Sequence, residues 1–474
     1  MKYLYKFAAI CFFIFLIFVI FINIRALYSC EYTPDGNINK LIFFTAIATV
    51  AIVFYALCIY IKKIDFNKKS YILTIFAMLF LGFVLRFIAL INLPCKSVSD
   101  YKTIFDAAQA AANGDFTGFS NTSYLKRFPH LTGYTVMLYF IFKTFGANLF
   151  IIKIVNIMCS VLSIVVAAMI GKQMGGYKGG AVCAFLYSIY PADIFYIPVC
   201  ITENFAMPFF ILAIYFIIKA YKASDTKTII IYTLVSSVIL CIGCIFRGVT
   251  PFYITAFVVF IVFAFKNKLK IISVIAFLLS FFIINQAVSL GLYYGRITQY
   301  KLNEAGEPIA MTLLVGFNFE TNGMYSWEDR NIYVENNGDT EIASKIATEK
   351  LKERIGNNKD KIIHLFINKS KIIWENGAFG SLYWSVENNG YNMDTPRNVW
   401  LYLLNTVYFL ILLLASLKSS IHNQDKPYIL FEMLPLLFHC GLMLIEVQPR
   451  YTFCVAYVFI FCAMLGFVKN KLKG

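Results

Sequence analysis

The chain has 474 residues, of which 59% are hydrophobic and only 14% charged. Soluble domains carry about 45–50% apolar and about 25% charged residues, so this balance excludes a soluble enzyme, a disordered protein and a coiled coil. The long apolar runs also exclude an outer-membrane barrel, whose strands are short and alternate. The net charge of +16 comes from 42 Lys and Arg against 26 Asp and Glu. It sits mostly in short loops between apolar runs, where orientation in a membrane explains it without nucleic acid.

A spanning helix needs roughly 20 mostly apolar residues. Runs at 7–24, 41–61, 71–93, 148–170, 179–197, 203–221, 228–246, 250–265, 269–292, 397–417, 428–446 and 450–468 fit that requirement. They predict an all-α polytopic membrane protein with about 12 transmembrane helices, 11 to 13 as the range. The first run follows Lys2 and Lys6, is long for a secretory leader, and reads as an uncleaved anchor. Residues 1–70 then form N-terminal anchor helices and 71–292 a membrane core with a first outer loop at 94–147. Residues 293–396 form an extracytoplasmic segment, and 397–474 the C-terminal spans.

Lysine clusters set the orientation. They fall at Lys62/Lys63/Lys68/Lys69, Lys172/Lys178, Lys219/Lys222/Lys227, Lys266/Lys268/Lys270, Lys418/Lys426 and Lys469/Lys471/Lys473. Placing all of them inside puts both termini inside. The stretch 131–145 is apolar enough to span, but counting it would flip every later loop. It is expected to lie along the outer interface or to re-enter from that side. In the outer segment, 341–355 and 361–375 read as helices around an Asn-Gly-Asp turn at 337–339. The 12 cysteines show no zinc spacing, and the CxxC of Cys241 and Cys244 lies in an apolar run where packing is the simpler reading.

Ionisable residues near hydrocarbon are costly and mark function when they gather. With the orientation above, Asp100, Arg127, His130, Asp193, Glu203, Arg247, Glu446 and Arg450 all fall at outer helix ends. Each has a structural alternative: Asp100 as a helix cap, His130 as a buried hydrogen-bonder, Glu203 on a helix dipole, and Glu446 and Arg450 paired with each other.

In order and spacing these residues resemble the polytopic glycosyltransferases of the C superfamily, the group of the protein O-mannosyltransferases and the lipid A aminoarabinose transferases. The resemblance covers about 80–260 and 440–468. It is carried by Asp100, by Arg127 and Pro129 before an apolar helix ending in Phe145-Gly146, and by the glycine-rich turn 175–179. Arg247-Gly248 and Glu446-x-x-Pro449-Arg450-Tyr451 complete it. It implies transfer of a sugar from a polyprenyl-phosphate donor to an envelope glycan, lipid or protein, in a cavity on the outer face of a bacterial plasma membrane. By that analogy Asp100 and Glu203 are the catalytic acids. Arg127, His130, Arg247, Glu446, Arg450 and Tyr451 bind substrate, and a divalent metal at Asp100 is possible in principle. Where many members carry two adjacent acids, this chain has Ser99-Asp100-Tyr101. The alternative from a different class is a transporter or flippase, which predicts charges near the midplane and gates on both sides.

Overall fold

The computed structural model describes residues 2–29, 36–93, 95, 97–386, 396–422 and 428–468. Lys426 and the cluster Lys469/Lys471/Lys473 lie outside the described residues. Among these residues the secondary structure is helical, with no strand. Eight helices are long and apolar enough to cross a membrane, or nine when a bent pair is counted as one span. The protein is thus an all-α, multi-pass membrane protein.

Three long helices come first: α1 (Lys2–Ser29), α2 (Gly36–Lys63) and α3 (Lys68–Asn92). The side chain of Asn67 caps α3 and Ser70 reciprocates, which starts the helix beside the lysines of the preceding loop. Two shorter helices of 14 residues follow, α4 (Ser99–Ala112) and α5 (Thr132–Phe145). At about 1.5 Å per residue, 14 residues fall well short of a bilayer. The ambiguous apolar stretch at 131–145 is therefore too short to cross alone. It packs instead on α4, and Gly133 lets it lie directly against the backbone of Ile245.

Helix α6 (Leu149–Ser188) is 40 residues long only nominally. At Gly176 the backbone takes φ 67° and ψ −161°, a region that essentially only glycine occupies. A Cβ built on Gly180 would lie 2.9 Å from the carbonyl oxygen of Ala168, and one on Gly171 would lie 2.4 Å from that of Gly179. Residues 12 apart on a straight helix are roughly 18 Å apart. The chain therefore folds back at Gly176, and the predicted runs 148–170 and 179–197 are two antiparallel arms. Gly176→Ala is expected to destabilise the protein by about 1–3 kcal/mol, read as a lower melting temperature in detergent; an unchanged melt would argue against the turn.

Then come α7 (Pro191–Tyr196), α8 (Thr202–Lys222), α9 (Thr226–Phe246), α10 (Thr250–Ala264) and α11 (Asn267–Tyr294). The outer segment follows, with α12 (Ile309–Gly316), α13 (Trp327–Glu335), α14 (Thr340–Asn357) and α15 (Ile362–Trp374). The two helices expected there at 341–355 and 361–375 are α14 and α15. The chain ends with α16 (Pro396–His422), α17 (Tyr428–Leu444), and the bent pair α18 (Phe453–Ala456) and α19 (Val458–Phe467). Helices α10 and α17, at 15 and 17 residues, are apolar but shorter than a full span. The expected dozen passes thus exceeds the eight or nine helices that are long and apolar enough to span among the described residues, because α10, α17 and the second arm of α6 are each shorter than a span. Helices α16 and α19 pack as central neighbours, with α19 wholly buried. Trp374 at the end of α15 inserts among Phe15, Phe379 and Phe459 and donates to His439 Nδ1 at 3.2 Å. Cys241 and Cys244 are free and buried, as packing residues are.

Candidate functional site

Four chain segments deliver charge to one end of the bundle, opposite the lysine clusters along each connected helix. Asp100 is the second residue of α4, Glu203 the second of α8, Arg247 follows α9 directly, and Arg450 lies between α17 and α18. The backbone at Ser99 has φ 52°, a left-handed conformation just before Asp100.

Asp100 does not cap its helix. Its Oδ2 accepts from Arg450 Nη2 at 3.0 Å, and its Oδ1 accepts from the Tyr124 hydroxyl at 2.8 Å. Burial pushes the Asp100 carboxyl up, but Arg450, Tyr124 and nearby His130 more than offset it, and the group is held below the usual carboxylate range. Arg450 also donates to the Tyr101 hydroxyl at 2.7 Å and lies 5.4, 5.5 and 5.9 Å from the rings of Tyr101, Trp384 and Tyr451. Three π-faces thus cradle one guanidinium.

Arg247 reaches Glu203 with Nη2 at 3.3 Å from Oε1, while Thr202 donates to the other Glu203 oxygen at 2.7 Å. The Tyr451 ring lies 5.3 Å from the Arg247 guanidinium, so Tyr451 sits between the two arginines. The Tyr451 hydroxyl donates to Glu446 Oε1 at 2.9 Å. Glu446 and Arg450 do not pair with each other: Glu446 Oε2 accepts from Arg330 Nη2 at 2.6 Å.

The chain of charges continues into the outer segment. Glu307 bridges Arg330 and Arg127, and Arg127 also donates to the Arg330 carbonyl at 2.8 Å. Arg127 is thereby turned toward the outer segment. His130 faces the middle of this network. Crowding by protein and the guanidinium groups of Arg247 and Arg450 outweigh Asp100 and hold its imidazole below the usual histidine range. The residue as a whole is nevertheless exposed. Asp100, Arg127, Glu203, Arg247, Glu446, Arg450 and Tyr451 are thus linked through ion pairs, hydrogen bonds and ring contacts, with His130 beside them.

Asp193, expected at the same depth, is elsewhere. It pairs with Arg86 at 2.6 Å in a separate, fully buried cluster that includes Ser160. Sequence reasoning missed Arg86, although an arginine inside the apolar run 71–93 was a signal. It also missed Glu307 and Arg330, which look like ordinary surface charges in a soluble stretch. Lys369 was missed as well: its ammonium donates to the carbonyls of Gly316, Met443 and Ile445 at 2.9, 2.8 and 2.7 Å. It ties α15 to the ends of α12 and α17, just ahead of Glu446. Among the described residues no group of three or more His, Cys, Asp or Glu is placed to hold a metal ion. Both oxygens of Asp100 are already engaged.

The fold and the network define a multi-pass membrane protein with a charged, ion-paired network at one end of its helices. No protein-family model and no curated protein matches the chain. Among solved structures, the crystal structure of ArnT from Cupriavidus metallidurans bound to undecaprenyl phosphate matches over 84% of this chain and 78% of that one, with 10% identity and a TM-score of 0.35.

Proposed function

We propose that the protein is a membrane glycosyltransferase of the C superfamily type that moves a sugar from a polyprenyl-phosphate donor to an acceptor outside the membrane. The observation that carries this reading is the convergence of the Asp100–Arg450 and Glu203–Arg247 pairs on the ring of Tyr451. An acceptor hydroxyl attacks the anomeric carbon while the bond from that carbon to the phosphate oxygen breaks. Asp100 takes the hydroxyl proton, and polyprenyl phosphate leaves. One displacement inverts the anomeric centre.

Arg247 is the group best suited to meet the leaving phosphate. Among the described residues its one ion contact is the 3.3 Å approach to Glu203, a looser pairing than the 3.0 Å contact of Arg450 with Asp100. Arginine stays charged and can engage two phosphate oxygens at once. Arg450 is instead fastened to Asp100 and Tyr101 and positions the base. A transporter would need charge along a path through the bilayer; the linked acids and arginines of the network gather at one end, while Arg86–Asp193 and Glu432 are buried apart from them.

The test is binding of a synthetic polyprenyl phosphate to purified protein in nanodiscs. Arg247→Gln keeps a donor beside Glu203. It is expected to weaken binding by about 10- to 100-fold, from the loss of a charge-assisted contact worth about 1.5–3 kcal/mol. Unchanged affinity would remove Arg247 from the phosphate site.

A further inference from the structure

Most exposed large apolar side chains lie on the spanning helices, where hydrocarbon covers them. Tyr325 and Trp327 do not. They stand in the turn leading into α13, 38% and 78% exposed, with their rings edge to face at 5.3 Å. The backbone around them is fastened on several sides. The Gly323 carbonyl accepts from Val447 N at 2.9 Å, and the Asn318 side chain accepts from the amides of Glu320 and Thr321 at 3.1 Å each. Asn322 accepts from Asn368 at 2.9 Å, and Ser326 caps α13 above the Asp329–Arg354 pair. The turn is thus joined to the loop that carries Glu446, and α13 sends Arg330 into the charged network. The Tyr325 hydroxyl lies within electrostatic reach of Arg127, Arg330, Glu446 and Asp100. Through Val447 and Arg330 the pair is joined to the elements that carry the charged network.

Two perpendicular aromatic faces on a hydrogen-bonded backbone, with amide and carboxylate residues close in sequence (Asn322, Glu328), match the chemistry of a sugar ring. Its C–H face packs on an aromatic surface, and its edge hydroxyls seek polar partners. Holding the rings in place beforehand lowers the ordering cost of binding. Resting on the transfer reading above, we propose that Tyr325 and Trp327 form a stacking platform for a sugar ring of the acceptor, which makes the acceptor a glycan or a glycan-bearing molecule.

The experiment uses the full chain in phosphatidylethanolamine/phosphatidylglycerol nanodiscs, titrated with chitotetraose, a mannose tetrasaccharide, a galactose tetrasaccharide and a serine/threonine peptide. Saturable binding of at least one saccharide is expected, weakened about tenfold or more by Trp327→Ala and by Tyr325→Ala, with polyprenyl phosphate affinity unchanged in both variants. Binding of the peptide alone, no saccharide binding, or saccharide binding indifferent to Trp327→Ala overturns the platform. So does a component of tryptophan quenching by brominated lipid that is present in the wild type and lost in Trp327→Ala, which would make the pair a membrane anchor. If the wild type binds polyprenyl phosphate and no saccharide, the platform fails alone; if it binds no polyprenyl phosphate, the transfer reading fails.

Discussion

Asp100→Asn is expected to lower sugar transfer by at least about 100-fold, the lower end of what a positioned general base contributes, while leaving polyprenyl phosphate binding near wild type. The substitution is nearly isosteric. Its Oδ1 still accepts from Tyr124, and Arg450 keeps Tyr101 and its three rings. What is lost is the negative charge and the lone pair that takes the acceptor proton. The pH dependence gives a second check. Arg450 and Tyr124 hold the Asp100 carboxyl below its usual range in spite of burial. The carboxylate form therefore persists as pH falls through the ordinary aspartate value of about 3.9, and the acid limb of the transfer rate should lie below that value. The same depression makes Asp100 a weaker base, which is why the lower end of the range applies. Wild-type transfer by the asparagine variant, or an acid limb well above the ordinary aspartate range, would take Asp100 out of the mechanism.

Sequence alone carried the membrane architecture because hydrocarbon imposes one rule on every span: long, apolar and with its backbone bonds closed inside the helix. That rule is local, so the runs could be read one at a time, and the lysine loops supplied an expected orientation. Departures from it occur where protein replaces lipid as the solvent. Helices α10 and α17 are shorter than a span, and Tyr253 and Phe438, one from each, lie with their rings 5.8 Å apart. The turn at Gly176 was visible as a glycine cluster, although its geometry was not. In the site, residue types and helix ends were legible and partners were not. Asp100 meets Arg450 across 350 positions and Arg330 meets Glu446 across 116; such pairings leave no local pattern. The obvious nearby pair, Glu446 with Arg450, is one the structure does not make. The outer segment looked separable from the membrane core, yet its Glu307 and Arg330 close the charge network from above.

The largest effect on stability is expected at Arg86. This side chain is fully buried in α3 and donates to the carbonyls of Gly82, Ser188 and Tyr187 at 3.0, 2.9 and 3.1 Å, besides its pairing with Asp193. It thereby fixes the end of the second α6 arm and the start of α7 against α3. Helix α7 is only a short turn ahead of Glu203, so the site is built on this anchor. Arg86→Ala leaves the buried Asp193 carboxylate without its counter-charge, held by Ser160 alone, and takes one donor from each of those carbonyls. Removing one member of a buried ion pair costs about 3–5 kcal/mol, a large part of a typical folding stability of about 5–15 kcal/mol. The variant should fail to accumulate as a monodisperse protein in detergent. Arg86→Leu combined with Asp193→Leu removes both charges, and replacing a buried pair by apolar side chains is often close to neutral. The double variant should therefore recover much of the yield and bind polyprenyl phosphate. A stable Arg86→Ala protein would show that the pair does not hold the arm. A well-folded double variant with no polyprenyl phosphate binding would move Arg86 and Asp193 from the scaffold into the site itself.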